Sequence, residues 1–397
     1  MSDLKNVVIL GASSAGANVA RALEKTLPST HRIVLIEANN FAYWPIGALR
    51  ASVKAGFENE IFASLENFFP KESRHIILSG YKALSISTTS VKLDKSAPAP
   101  FNSDEIQVDI GVIATGSTYS YPMRPSSQSL EESVDSLRSL QKQIQQANNV
   151  VILGAGPVGI EFAGEIRAIY KDKKITLIER GPRLLRGFRQ PLHDGLYNQL
   201  KKKNIEVKFN TSVEVTDDLQ SSAQKFLSEP ITLNLSDNSK IETDFLFIAT
   251  GGAPNVSAVP EEALSEETAG TKGSRAPVKR VAIDQATLRV ENEQLKERWF
   301  CLGDASNSKD SKTSLSASAH APIVASQIVG QAANTKKGVK RHTKALNAIF
   351  IPIGPDGGAA QLVWPVFGEW FTSFGKGKSL LLNLFHPLYP GGQPLKN

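Results

Sequence analysis

The chain has 397 residues, 41% hydrophobic and 21% charged, enough for two or three domains with their own cores. Its formal charge of +6 is spread over scattered lysines and arginines, with only short clusters such as Lys201-Lys202-Lys203, so it reads as solvated surface and no nucleic-acid partner is expected. The single cysteine, Cys301, excludes an intramolecular disulfide, a CxxC pair and a cysteine-rich metal site, and no apolar run reaches the ~18 residues of a membrane-spanning helix.

The first apolar strand begins near Asn6, which leaves no room ahead of it for a signal or transit peptide. Ser2 stands where N-myristoylation needs glycine, and a cytoplasmic protein is expected. Residues 7–10, the turn GASSAG, an Ala-rich stretch over 17–27 and residues 33–37 read as strand, Gly turn, helix and strand. Gly11 and Gly16 bracket Ser13, Ser14 and Ala15; Ser13 replaces a middle glycine, and its Cβ limits how closely backbone and pyrophosphate approach. Glu37 closes the second strand, where a carboxylate can accept from a ribose.

Residues 109–116 (DIGVIATG) form an apolar strand ending in Ala114-Thr115-Gly116, and the Ser- and Pro-rich stretch 119–128 reads as a hinge. Leu130, Val134, Leu137, Leu140 and Ile144 give residues 129–147 one apolar helical face. The first pattern then returns: an apolar strand over 150–153, GAGPVG, a helix over 160–170 and a strand over 175–179. Gly154, Gly156, Pro157, Val158 and Gly159 supply a full G-x-G-x-x-G that opens a helix, and Glu179 is the terminal acid. Two copies of one βαβ unit predict two nucleotide-binding domains. Glu179 favours NADH because it would repel a 2′-phosphate, while Arg180 and Arg183 beside it leave NADPH tolerated.

A second ATG strand, residues 244–251, ends in Thr250-Gly251, and residues 254–279 read as a return crossing and surface loop. Residues 298–305 (RWFCLGDA) carry Gly303 and Asp304, followed by a predicted helix over 313–330. His320 inside that helix reads first as a packing residue and second as a redox group. No cluster of His, Cys or Asp has metal-ligand spacing, so no metal is expected. Eight aromatic residues lie between 350 and 389, against 7% in the whole chain, and Val363, Val366, Phe367, Trp370, Phe371 and Phe374 fit a helical apolar face. That segment reads either as a cap lining an access channel or as a peripheral membrane contact.

The two glycine turns, the two ATG strands and the LGDA segment, in this order, resemble the pyridine-nucleotide-disulfide-reductase-like flavoproteins over nearly the whole chain. Residues 48–53 (ALRASV), residues 312–328 and the aromatic end most resemble the apoptosis-inducing-factor-like, ferroptosis-suppressor type of NAD(P)H:quinone oxidoreductase, akin to type II NADH dehydrogenases. The resemblance implies an α/β fold with an FAD domain (1–119 plus 254–334), an NAD(P)H domain (120–253) and a C-terminal appendage (335–397). It implies that Asp304 binds the flavin ribitol, that Arg50 is among the cofactor-binding residues, and that Glu161 approaches the flavin and nicotinamide as the catalytic residue, with Glu165 a weaker candidate. As an alternative, Glu161 is a first-turn glutamate favoured by the helix dipole. Residues 38–54, where disulfide reductases of this architecture carry a CxxxxC pair, hold no cysteine, so electrons must leave directly to a small acceptor or a partner. The expected reaction is hydride transfer from NADH to FAD, then electron transfer to a quinone-like acceptor. The alternatives are reduction of a protein redox partner and NADH sensing with little turnover. The same resemblance implies a peripheral place on the mitochondrial outer membrane or lipid droplet, although Ser2 removes the lipid anchor of the ferroptosis-suppressor kind.

Overall fold

The computed structural model describes residues 4–267, 278–343 and 347–390. The first unit opens with β1 (Lys5–Leu10), α1 (Ser14–Glu24) and β2 (His31–Glu37). A short helix α2 (Ala48–Ala51) follows, then β3 (Ile76–Ser79) and β4 (Ile110–Ile113). Helix α3 (Leu130–Gln146) leads into the second unit: β5 (Asn149–Leu153), α4 (Pro157–Ile169), β6 (Lys174–Ile178), α5 (Gln190–Lys202), β7 (Ile205–Lys208), β8 (Phe226–Asn234) and β9 (Lys240–Ile248). The chain then returns through β10 (Trp299–Cys301) and α6 (Ser314–Ala332) and ends in a small sheet of β11 (Ala348–Pro352), β12 (Gly358–Leu362) and β13 (Val366–Phe367).

The first unit is a parallel sheet in the order β10-β4-β1-β2-β3. The second runs β7-β6-β5-β9-β8, parallel except for the antiparallel edge strand β8. Val7, Val8 and Ile9, and Val150, Val151 and Ile152, are almost fully buried, as strands covered on both faces require. The two units repeat one another in detail. Asp109 accepts a hydrogen bond from Asn6 N at 2.8 Å, and Asp244 accepts from Asn148 N and Asn149 N, each at 2.8 Å, so each ATG strand begins by gripping the start of its central strand. Gly111 of β4 lies under the Trp299 ring, where an added Cβ would meet the indole at 2.3 Å.

Three expectations fail locally. Helix α1 starts at Ser14 rather than near residue 17, because Ser13 takes the extended N-cap conformation and Gly16 lies inside the first turns. The helix expected over 363–374 is broken: Val363 has φ +55°, Pro365 has no N–H to give, and β13 precedes a helical stretch that starts only at Glu369 and continues as a π-helical turn through Gly377. The loop expected over 254–279 contains Leu264–Glu267 and, just beyond, the antiparallel partner Val278–Val281; residues 268–277 lie outside the described residues.

The C-terminal segment binds both units. Gln199 of α5 donates to Gly358 O at 2.9 Å and accepts from Gly358 N at 2.6 Å. On the first unit, Tyr389 donates its hydroxyl to Ala12 O at 2.6 Å, and Trp44 donates Nε1 to Leu380 O at 2.7 Å. The three parts meet on one face of α4. Arg50 of α2 forks onto Glu165 at 2.9 and 2.7 Å and also donates to the carbonyls of Gly377 and Lys378 at 2.6 and 2.8 Å. One turn earlier, Glu161 takes Lys376 Nζ at 2.6 Å. Gly164 completes the seam, since an added Cβ would lie 2.6 Å from Gly354 N.

Burial raises the Glu161 carboxyl above the ordinary carboxylate range, and Lys376 is the main opposing influence. Lys376→Met should therefore destabilise the protein by ~3 kcal/mol near neutral pH, because it leaves a buried carboxylate unpaired. In that variant the folded state holds a proton that the unfolded chain releases, so stability should fall as pH rises from the ordinary carboxylate range toward neutrality. Urea unfolding across this range checks it. Adding Glu161→Gln should recover most of the loss, and equal stability of the single and double variants would refute the pairing.

Candidate functional site

Each βαβ unit presents its glycine turn at the C-terminal edge of its sheet. Gly11 and Gly154 adopt φ +100° and +105°, in the left-handed region that a side chain disfavours. Their amides return to Ile36 O and Ile178 O, both at 2.8 Å. At Gly16 and Gly159 an added Cβ would sit 1.9 Å from the first glycine's carbonyl, so only glycine lets helix and turn close. The middle position is different. Gly156 has ordinary φ −76°, and nothing of the protein lies within 4 Å of where its Cβ would be. Ser13 occupies the same position with φ −88°, which the fold accepts without strain.

The terminal acids hold these turns. Glu37 accepts from Ala12 N at 2.7 Å through one oxygen and from Asn39 N at 3.1 Å through the other. Desolvation raises its carboxyl above the usual range, and these N–H donors oppose the rise. Glu179 repeats the arrangement, accepting from Ala155 N at 3.2 Å and Gly181 N at 2.8 Å. Arg183 donates to the carbonyls of Arg186 and Phe188 at 2.8 and 3.1 Å, within its own loop.

A cleft of about 650 Å3 runs from Glu37 along Gly11–Ala15, past Thr115-Gly116 and Gly303-Asp304, to Gly156, Pro157, Val158 and Gly251 of the second unit. Ala114, Tyr43, Tyr119, Arg124 and Lys312 also line it. Thr115 locks the crossing between units by donating Oγ1 to Asn255 O at 2.6 Å and accepting Asn255 Nδ2 on its carbonyl at 3.0 Å. The Asp304 carboxylate accepts from Ser117 Oγ at 2.7 Å, and Arg280 donates to the Asp304 carbonyl. Helix α6 begins beside Asp304, with Thr313 as N-cap accepting from Ser316 N at 3.2 Å and Thr313 and Ser314 facing the cleft. Its N-terminal dipole end, the first glycine turn and α1 therefore converge on one volume that suits an anionic dinucleotide. The first glycine turn, the acid at its strand end and a second turn across the cleft could hold two dinucleotides, one along each unit.

Two expected site residues stand elsewhere. Arg50 is 4% exposed, and its donors are taken by Glu165, Gly377 and Lys378, away from the cleft lining. Glu161 lies one turn beyond Val158, off the lining and against Lys376. Gly16, Gly154, Gly159, Glu179 and Thr250 are not among the residues that line the cleft. Ser117, Arg124, Arg280, Lys312 and Lys376 were not singled out in the sequence; the only signal was position, Ser117 following Gly116 and Lys312 preceding the α6 cap. His320 turns from the cleft toward Asp310 and His342, a meeting that sequence spacing did not show.

A sequence profile of the pyridine nucleotide-disulphide oxidoreductase family matches residues 5–274. Apoptosis-inducing factor homolog A of Dictyostelium discoideum is 25% identical, covering 99% of this chain and 94% of its own. Ferroptosis suppressor protein 1 of Xenopus tropicalis is 24% identical, covering 95% of this chain and 94% of its own. Among solved structures, the sulfide:quinone oxidoreductase of Aquifex aeolicus superposes with a TM-score of 0.72 at 17% identity, covering 99% of this chain and 93% of its own, which shows a shared fold. The chain belongs to the pyridine nucleotide-disulphide oxidoreductase family and is an FAD- and NAD(P)H-dependent oxidoreductase.

Proposed function

We propose that this oxidoreductase passes electrons from NADH, through FAD, directly to a quinone-like small molecule. The observation that carries the reading is Cys301. It is the chain's single cysteine, it is fully buried in β10, and burial pushes its thiol far above the ordinary range. No thiolate is at hand to relay electrons, and a dithiol cannot form. Bound FAD supplies the hydride acceptor and then the electron donor of such a reaction.

In this reading Gly11, Ser13, Ser14, Ala15 and Gly16 hold the FAD pyrophosphate and Glu37 its ribose. Asp304, steadied by Ser117, takes the ribitol, and the N-terminus of α6 faces the pyrimidine edge. Gly154, Gly156, Pro157, Val158 and Gly159 bind the nicotinamide dinucleotide, with Thr250-Gly251 beside them and Glu179 on the adenine ribose. Both Glu179 oxygens are held by backbone amides, and Arg183 is turned into its own loop, which supports NADH over NADPH. Glu161 and Lys376 form a buried acid–base pair one turn from the cleft, able to hold a proton at Oε1 or Nζ while charge changes nearby.

The acceptor side is the aromatic end. Phe350, Phe367 and Phe371 stack into a half-buried cluster, with centroids 4.2 Å apart for Phe367–Phe371 and 5.7 Å for Phe350–Phe371. Trp364, Trp370 and Phe374 stay 72%, 80% and 79% exposed, with Lys378 exposed beside them. A surface of exposed aromatics and lysine suits a peripheral anionic membrane from which a lipid-soluble acceptor arrives. No helix among the described residues is long and apolar enough to cross a membrane.

A panel of quinones with different tails, ferricyanide and oxygen, each with NADH, tests this reading. Cys301→Ser should keep NADH:quinone turnover within about twofold of the parent, with some stability lost because a buried site receives a hydroxyl. Fast flavin reduction followed by slow reoxidation with every quinone would instead make this an NADH sensor, and turnover only with a small redox protein would make it that protein's reductase.

Glu179→Ala should raise the Michaelis constant for NADH roughly tenfold, the value of a lost charge-assisted hydrogen bond to ribose. The NADH/NADPH preference should move toward NADPH, and an unmoved ratio would remove Glu179 from the ribose site.

Trp370→Glu with Phe374→Glu should spare flavin reduction by NADH while reducing turnover of long-tailed quinones. Binding to anionic liposomes should weaken in the same variant and fall with salt in the parent. Full turnover and unchanged liposome binding would take both roles from this surface.

A further inference from the structure

Outside the dinucleotide cleft, the fold gathers a group of side chains that the electron-transfer reading leaves unused. Asp310 stands on the loop between Asp304 and α6, His320 on the second turn of α6, and His342 on the segment leading to β11. The sequence distances among them match no common ligand pattern; only the folding of the 335–343 segment back over α6 brings them together. That segment is fastened by His342 N to Ala286 O at 2.7 Å and by Gln327 Nε2 to Lys340 O at 2.8 Å.

The geometry is convergent. His320 Nε2 and His342 Nε2 lie 3.1 and 2.9 Å from the same oxygen, Asp310 Oδ2. The two imidazoles meet edge to face, with centroids 5.0 Å apart. Ser308 Oγ also donates to that oxygen at 2.8 Å. Three polar groups thus crowd one carboxylate oxygen, which offers two lone pairs. Asp310 and His320 are 5% and 2% exposed, and His320 Nδ1 is buried with no hydrogen-bond partner among the described residues. The His342 side chain is 15% exposed, which gives the group one open side.

Two imidazole nitrogens and a carboxylate are the ligand set that zinc and its borderline neighbours take. The three ligand atoms all lie within 4.8 Å of one another. In a tetrahedral site with bonds of ~2.0–2.1 Å, neighbouring ligand atoms stand about 3.3 Å apart, so each nitrogen withdraws from Asp310 by a few tenths of an ångström and the two nitrogens settle to the same spacing. A cavity of about 10 Å3 bounded by Ser308, Asp310, Ser316 and His320 adjoins the group, room for the one water that completes three protein ligands.

We propose that Asp310, His320 and His342 form a transition-metal site of the zinc class. The ion ties the segment before β11 to the loop that carries Lys312 and Thr313 into the cleft, a structural clamp behind the flavin site rather than a part of the electron path.

The test uses the full-length flavoprotein, freed of metal by a chelator and titrated with Co2+. The expected result is one Co2+ per chain with the ligand-field absorption of a tetrahedral site on the red side of the flavin bands, discharged by Zn2+. Affinity should fall at least about tenfold in His342→Ala and in Asp310→Asn, with flavin content showing that each variant is folded. Should His342→Ala lose its flavin, His342→Gln carries the same reading, since its amide is a poor ligand for either metal. A saturating titration without that absorption, or an absorption of equal affinity in the His342 variant and in His320→Gln, overturns the site.

Discussion

A buried ion-pair seam on helix α4 sets the relation of the parts. Glu161 and Glu165 face the same way one turn apart, and neither carboxylate could stay buried without a cation from outside its own unit. Arg50 comes from the first unit and Lys376 from the C-terminal segment, so folding of any one part is incomplete without the other two. Because α4 also begins at the second glycine turn, the seam fixes where that turn stands relative to the first unit. Gly164 makes the contact close enough for backbone to lie on backbone, which leaves the four charges little room to rearrange.

Around that seam the two βαβ units are the same solution used twice. In each, a left-handed first glycine and a third glycine pressed on its carbonyl bring helix and strand together, and a glutamate at the next strand end takes the amide after the first glycine. The aspartates that open the ATG strands grip the central strands in the same manner. In the glycine pattern the asymmetry lies in the middle position, where the fold itself tolerates a side chain. Ser13 against Gly156 is therefore a difference in what each turn offers a ligand, not in how each turn folds.

The C-terminal segment divides its aromatic residues between a stacked cluster and the surface. Phe350, Phe367 and Phe371 stack half-buried on one another, whereas Trp364, Trp370 and Phe374 stay on the surface. The same segment reaches Ala12 beside the first glycine turn through Tyr389 and Glu161 through Lys376. The segment is thus held to both units by hydrogen bonds rather than tethered by a linker.

The sequence by itself determined the local units. Apolar strands, glycine turns and terminal acids are properties of consecutive residues, and Gly11, Gly16, Gly154, Gly159, Glu37 and Glu179 stand where strand, turn and helix dictate. The α3 face was legible for the same reason, since helical periodicity is read within a few residues. The tertiary structure alone decided the partners of charged groups. Glu161 and Lys376 are 215 residues apart in sequence, and Arg50 and Glu165 are 115 apart, so no pattern within a window could pair them. Arg50 was expected near a cofactor and Glu161 was weighed between a redox group and a helix-end glutamate; their burial against distant chain made each part of a seam. Asp310, His320 and His342 stayed invisible on the same ground, and the aromatic end was misread as one helix because apolar spacing does not register Pro365, the φ of Val363 or the pairing of β12 with β13. Periodicity reports which face a segment buries, whereas what meets that face is set by chain that returns from far away.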